Sequence, residues 1–190
     1  MPFNVHQGIR GAWIAIGLLW LVCAFGTKRT ARRQDLRTFL VHVLVLGLAF
    51  DLIFSDLFRG GFLGWRFVAD LGAIGWTGFA ITVAGIASAM WARLYIGRNW
   101  SGTVTVKQDH ELVRNGPYAL VRHPIYSGLS LALLGTALAV GEVRCLLAFV
   151  LVVFEFKRKS LLEERFMIEQ FGGQYVQYRR EVKSLIPFVW

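Results

Sequence analysis

Four long apolar stretches set the pattern of the chain: Ala12 to Phe25, Phe39 to Phe58, Phe67 to Ile96 and Ile125 to Phe156. Short polar and mostly basic segments separate them. A bilayer core of about 30 Å takes roughly 20 helical residues to cross. The second and third stretches are long enough for this, and the first must borrow from its flanks. The fourth is too long for one crossing, and Gly141-Glu142-Val143-Arg144 interrupts it, which predicts a tight turn between two antiparallel helices. Each arm is then shorter than a full crossing, so either the turn lies below the membrane surface or the bilayer thins around it. The pattern predicts an all-α integral membrane protein of five transmembrane helices, the last two forming a helical hairpin.

The 190 residues are 55% hydrophobic, far more apolar than an ordinary soluble domain of this size. A formal charge of +9 would suit nucleic acid, but the basic residues border the apolar stretches, where they set topology instead. Lys28, Arg29, Arg32, Arg33 and Arg37 follow the first helix and only Arg10 precedes it. The positive-inside rule therefore puts that loop in the cytoplasm and the N-terminus outside. Alternation then assigns the region from Arg98 to Arg122, and everything after Phe156, to the cytoplasm. The charge order around the first helix is the reverse of a secretory signal, so this helix is expected to stay in the mature protein. Cys23 and Cys145 fall in or beside predicted spans and imply neither a disulfide framework nor a metal site.

Two stripes of small residues share one spacing. Gly78, Thr82, Gly85 and Ala89 lie on one face of the third span, and Gly128, Ala132, Gly135 and Ala139 on one face of the helix after Pro124. Such stripes let helix backbones approach closely in lipid, so these two helices are expected to pack together. His42 is read as a histidine bonded to a neighbouring helix, and Asp51 as a carboxylate near the outer surface. The Arg59 to Arg66 segment reads as an interfacial turn anchored by Trp65. Thr103 to Lys107 alternates like a short strand, and Asn115-Gly116-Pro117 marks a turn. Glu155, Lys159 and Glu163 fall at four-residue steps, on one face of a helix leaving the membrane. Phe171 to Arg180 reads as a cytoplasmic helix lying against the membrane.

The chemistry concentrates at Arg122-His123-Pro124-Ile125-Tyr126-Ser127-Gly128. Pro124 suits the first turn of a helix and biases His123 away from helical geometry. The first N–H groups of that helix lack intrahelical partners, which favours an anionic group placed against them. The chain has no GxGxxG loop, Walker lysine loop, HExxH pair or GxSxG elbow. What remains is a cytoplasmic pocket at the membrane edge, lined by His123, Tyr126, Glu163 and Glu164.

The run from His110 through Gly116-Pro117-Tyr118 to the Arg122–Gly128 segment, followed by Glu163-Glu164 and by Phe171-Gly172 with Tyr175 and Tyr178, resembles the signature of isoprenylcysteine carboxyl methyltransferases and the related phospholipid methyltransferases. The resemblance covers about half the chain. It implies an S-adenosylmethionine-dependent membrane methyltransferase, with its cofactor in the cytoplasmic pocket and a lipophilic methyl acceptor entering from the bilayer. Membrane lipid is the other expected partner, and neither nucleic acid nor metal is expected.

By the motif, His110, Leu112, Val113, Tyr118, His123, Pro124, Tyr126, Gly128, Glu163 and Glu164 would bind the cofactor. Arg158 or Lys159 would orient a substrate carboxylate beside Glu163. Residues 1–96 would form three N-terminal transmembrane helices and 97–190 the catalytic region, in the inner or plasma membrane if the source is prokaryotic. Two other readings stay open: transfer to a phospholipid amine, and an NADPH-dependent reductase of the sterol-reductase type.

Overall fold

The computed structural model describes residues 4–24, 30–33, 35–68, 72–97, 100, 105–107 and 112–186. Its helices are α1 (Val5–Ala24), α2 (Leu36–Phe54), α3 (Gly72–Ile96), the single turn α4 (Pro117–Leu120), α5 (Pro124–Val140), α6 (Val143–Phe171) and α7 (Gly173–Glu181). The all-helical expectation needs one amendment. Two short strands, β1 (Thr30–Arg33) and β2 (Thr105–Lys107), pair antiparallel and join the loop before α2 to the segment after α3.

By length and composition α1, α2 and α3 could each cross a membrane, and α5 is a shorter apolar helix. Leu18, Val22, Leu44, Trp76 and Leu94 point outward from these helices and are exposed, as side chains facing lipid would be. The first helix starts at Val5, well before the apolar stretch at Ala12. Ile9, Trp13 and Ile16 recur at helical spacing and are buried, so the inner face is apolar although His6 and Arg10 make this stretch read as polar.

The expected hairpin forms. Helix α5 starts at Pro124, with His123 as its cap at φ −125°. At its other end Gly141 takes φ 72°, a left-handed conformation that a residue without Cβ adopts at no cost. Its N–H closes the helix onto the carbonyl of Ala137 at 2.8 Å, and the chain turns through Glu142 into α6. The 17 residues of α5 reach about 25 Å, whereas α6 runs for 29 residues and carries its polar second half beyond the start of α5.

The two small-residue stripes meet as predicted. A Cβ added to Gly78 would lie 2.6 Å from the carbonyl oxygen of Gly135 and the nitrogen of Ala139, and one on Gly85 would lie 2.6 Å from the Gly128 oxygen. The backbones are therefore in direct contact, with α3 and α5 antiparallel. Within the contact the Thr82 hydroxyl lies 3.3 Å from that of Thr136, which accepts a 3.0 Å hydrogen bond from the Trp13 indole. A polar knot thus ties α1 to the pair, and every donor in it has a partner, as burial requires.

Candidate active site

Pro124 and the polar half of α6 bring two sequence-distant motifs together at one end of the bundle. His123 is buried between the two carboxylates of α6: Nε2 is 3.2 Å from Glu164 Oε1, and Nδ1 is 3.4 Å from Glu163 Oε2. The Tyr126 hydroxyl donates to Glu163 Oε1 at 2.5 Å. Its ring lies between those of His123 and Phe156, at centroid distances of 5.7 and 4.8 Å and nearly parallel to both. Arg122 donates from Nε and a terminal nitrogen to Glu164 Oε1, at 2.9 and 2.6 Å. Arg179 of α7 lies 3.2 Å from the other Glu164 oxygen.

These contacts set the protonation states. Burial opposes charge on His123, but hydrogen bonds to Glu163 and Glu164 prevail and raise its pKa above the ordinary value. Burial likewise opposes ionisation of Glu164, yet the bonds from His123 and Arg122 hold it down at about 2. Glu163 is also lowered against its burial, by His123, Lys159 and Tyr126. The flanking carboxylates thus favour the imidazolium form of His123. Of these three Glu163 is the most exposed, with 25% of its side chain accessible against 4% for Glu164.

A second cluster adjoins it. The Lys159 ammonium sits 5.7 Å over the Tyr126 ring and 3.3 Å from His42 Nε2. His42 Nδ1 is 3.0 Å from Glu155 Oε1. An ammonium only donates and a carboxylate only accepts, so His42 is neutral with its proton on Nδ1. Arg158 holds Glu155 with two hydrogen bonds, of 2.8 and 2.7 Å.

Of the candidates read from the sequence, His123, Tyr126, Glu163 and Glu164 converge, with Pro124 buried at the helix start and Lys159 alongside. Tyr118 and the half-buried Val113 belong to a small apolar group with Ala92 and Ile125 that abuts Tyr126. Leu112 is half-buried just before them. Gly128 is turned the other way: an added Cβ would lie 2.6 Å from the Ala89 nitrogen of α3, which puts it in the helix contact and away from the carboxylates. Arg158 faces Glu155 and the Thr38 carbonyl. His110 lies outside the described residues.

His42, expected to bond to a neighbouring helix, does so through Glu155 and Lys159 of α6; not foreseen were the hold of Arg122 on Glu164 and the tail after α7. That tail receives the Arg122 and His123 amides on the carbonyls of Lys183 and Ser184, at 2.8 and 3.0 Å. The Ser127 hydroxyl donates to Leu185 at 2.5 Å, and Arg122 also reaches the carbonyls of Arg179 and Val182. An ionisable residue inside an apolar span was the available signal for His42.

The sequence profile of the phospholipid methyltransferase family matches residues 73–174, more than half of the chain. The chain belongs to this family. Among its relatives, a protein-S-isoprenylcysteine O-methyltransferase of Schizosaccharomyces pombe is 39% identical over 101 residues, covering 52% of this chain and 43% of that protein. Protein-S-isoprenylcysteine O-methyltransferase B of Arabidopsis thaliana is 31% identical over 115 residues, covering 59% and 58%. The matched part is thus about half the length of these relatives.

The fold is similar to the solved structure of the eukaryotic intramembrane Ras methyltransferase, isoprenylcysteine carboxyl methyltransferase. The TM-score is 0.55 and the identity 25%, over 82% of this chain and 54% of that one. The resemblance read from the motifs is borne out, and with it an integral membrane protein. The matched span contains α3, the hairpin and both carboxylates, the elements that build the site.

Proposed function

We propose that this protein is an S-adenosylmethionine-dependent methyltransferase that methylates the carboxylate of a lipophilic, S-prenylcysteine-like acceptor. The observation that carries this reading is the linked cluster of Arg122, Glu164, His123, Glu163 and Tyr126 at the head of an apolar hairpin. The residues fit the cofactor. A partly exposed carboxylate lies beside a three-ring aromatic stack, next to a helix start whose first N–H groups lack intrahelical acceptors.

When bound, the cofactor supplies a methyl group already activated as a sulfonium. Glu163 would accept hydrogen bonds from its amino or ribose groups, and the first turn of α5 would hold its carboxylate. Glu164, saturated by Arg122, His123 and Arg179, keeps Glu163 and His123 in place. Lys159, over the face of the Tyr126 ring, would orient the acceptor carboxylate. Arg158 is committed to Glu155. Burying the reacting groups at the bilayer edge excludes water and sets the line of transfer.

In this reading residues 1–96 supply three spans and residues 97–190 the catalytic region, with the apolar half of α6 as the fifth span and the site facing the cytoplasm. The family description favours a second acceptor, a phospholipid amine. Calorimetric titration of the purified protein tests the cofactor. S-adenosylmethionine should bind and NADPH should not, and His123→Ala and Glu163→Gln should each weaken binding by roughly ten- to a hundredfold. Affinities within twofold of the parent in both variants would remove the site. Labelled-methyl transfer to an N-acylated S-prenylcysteine, compared with phosphatidylethanolamine, then separates the two acceptors.

A further inference from the structure

A second polar site occupies the opposite end of the bundle. A cavity of about 360 Å³ opens there between the start of α1, the end of α2, the Arg59–Arg66 loop and the hairpin turn. Its lining includes Arg10, Arg59, Arg66, Arg144 and His6, against the single carboxylate of Glu142. Arg144 is buried and donates to Glu142 and to the carbonyls of Leu52, Ile53 and Ser55 at the end of α2. Asp56 pairs with Arg59 at 3.1 Å.

With those two pairs assigned, Arg10 and Arg66 have no carboxylate partner among the described residues; Arg66 reaches only the Val140 carbonyl, at 3.5 Å. The backbone that carries Arg59 and Arg66 is fixed against the hairpin. The Phe67 amide donates to the Gly141 carbonyl and the Val143 amide to that of Trp65, both at 3.0 Å, so the loop is strapped to the hairpin. Like charges lining one cavity repel, and an anion among them relieves that repulsion.

The surroundings identify the kind of anion. Ile9, Ile53 and Val140 give the cavity an apolar wall, and the adjoining loop exposes Leu57, Phe62 and Trp65, side chains that suit a membrane interface. A ligand with a phosphate at one end and hydrocarbon at the other satisfies both. We propose that this cavity binds the phosphate headgroup of an anionic phospholipid, in the leaflet away from the His123–Glu163 site, and that the lipid ties α1, α2 and the hairpin together.

The test uses the full chain purified in neutral detergent, with phosphatidylglycerol, phosphatidylcholine or inorganic phosphate added. The Arg10→Gln/Arg66→Gln double variant changes two exposed side chains and should melt near the parent in detergent alone. Phosphatidylglycerol should raise the melting temperature of the parent above that in phosphatidylcholine. Each exposed charge contact is worth a few-fold in affinity, so the double variant should need roughly tenfold more of the lipid. Equal responses to the two lipids, or equal responses of parent and variant to phosphatidylglycerol, would overturn the proposal. Inorganic phosphate matching phosphatidylglycerol would transfer the cavity to a free anion and overturn the lipid assignment.

Discussion

Glu163 and Glu164 are adjacent in sequence, yet one carboxylate is enclosed by Arg122, His123 and Arg179 while the other keeps an open side. The enclosure makes stability depend on pH in a direction that can be worked out. The pKa of His123 is raised on folding, so its contribution is complete below its unfolded value near 6.5 and is lost as pH rises through the folded value. Glu164 is lowered to about 2, so its contribution is present above the unfolded value of 4.5 and is lost as pH falls through 2. His123→Gln should therefore cost about 1.5–3 kcal/mol near pH 6, the worth of hydrogen bonds to a charged group. That gap should narrow toward pH 9 in thermal melts of the detergent-solubilised protein, and a constant gap would mean that His123 is neutral. The four converging side chains were legible because two short motifs flank the same turn-and-return. His42 was legible as a histidine bonded to another helix, but its partner was not: Glu155 is 113 positions away, and only the packing of α2 on α6 brings them together.

The contact of α3 with α5 is the element-scale counterpart. Its residues could be named from spacing alone, because two small-residue stripes with one period fit each other in few ways. The early start of α1 could not be read so easily, since before Ala12 its buried face shows only Ile9, set among His6, Gln7 and Arg10. Two glycines separate packing from helix propensity. A Cβ at Gly85 meets the Gly128 oxygen at 2.6 Å, whereas one at Gly47 in α2 meets nothing within 4 Å. Gly85→Ala should destabilise by about 1–3 kcal/mol through overpacking. Gly47→Ala should be neutral or stabilise by roughly 0.5–1 kcal/mol, because alanine is the better helix former. Melting temperatures of the two variants in one detergent check this, and equal shifts would place the small stripes at a looser contact.

At the scale of the whole molecule, the β1–β2 pair and the starts of α2 and α5 lie at one end of the bundle, and the Arg59–Arg66 loop and hairpin turn at the other. Five spans with the N-terminus outside therefore predict opposite accessibility for two exposed positions in a cysteine-free background. Gly60→Cys should react with an impermeant reagent in intact cells, and Gln174→Cys only after permeabilisation. The reverse pattern would invert the topology. The hairpin and its turn were legible from the polar break at Glu142, but the closure of the site by the strand of chain after α7 was not, because backbone amides and carbonyls leave no mark in a sequence. That closure has a consequence for biosynthesis. The helices reach the bilayer in the order in which they are translated, so His123 and Glu163 arrive well before the Lys183, Ser184 and Leu185 carbonyls that receive the Arg122 and His123 amides and the Ser127 hydroxyl. The pocket therefore closes only after residues 183–185 have been made, and a variant chain ended before Lys183 should keep its helices while the Arg122 and His123 amides lose these acceptors.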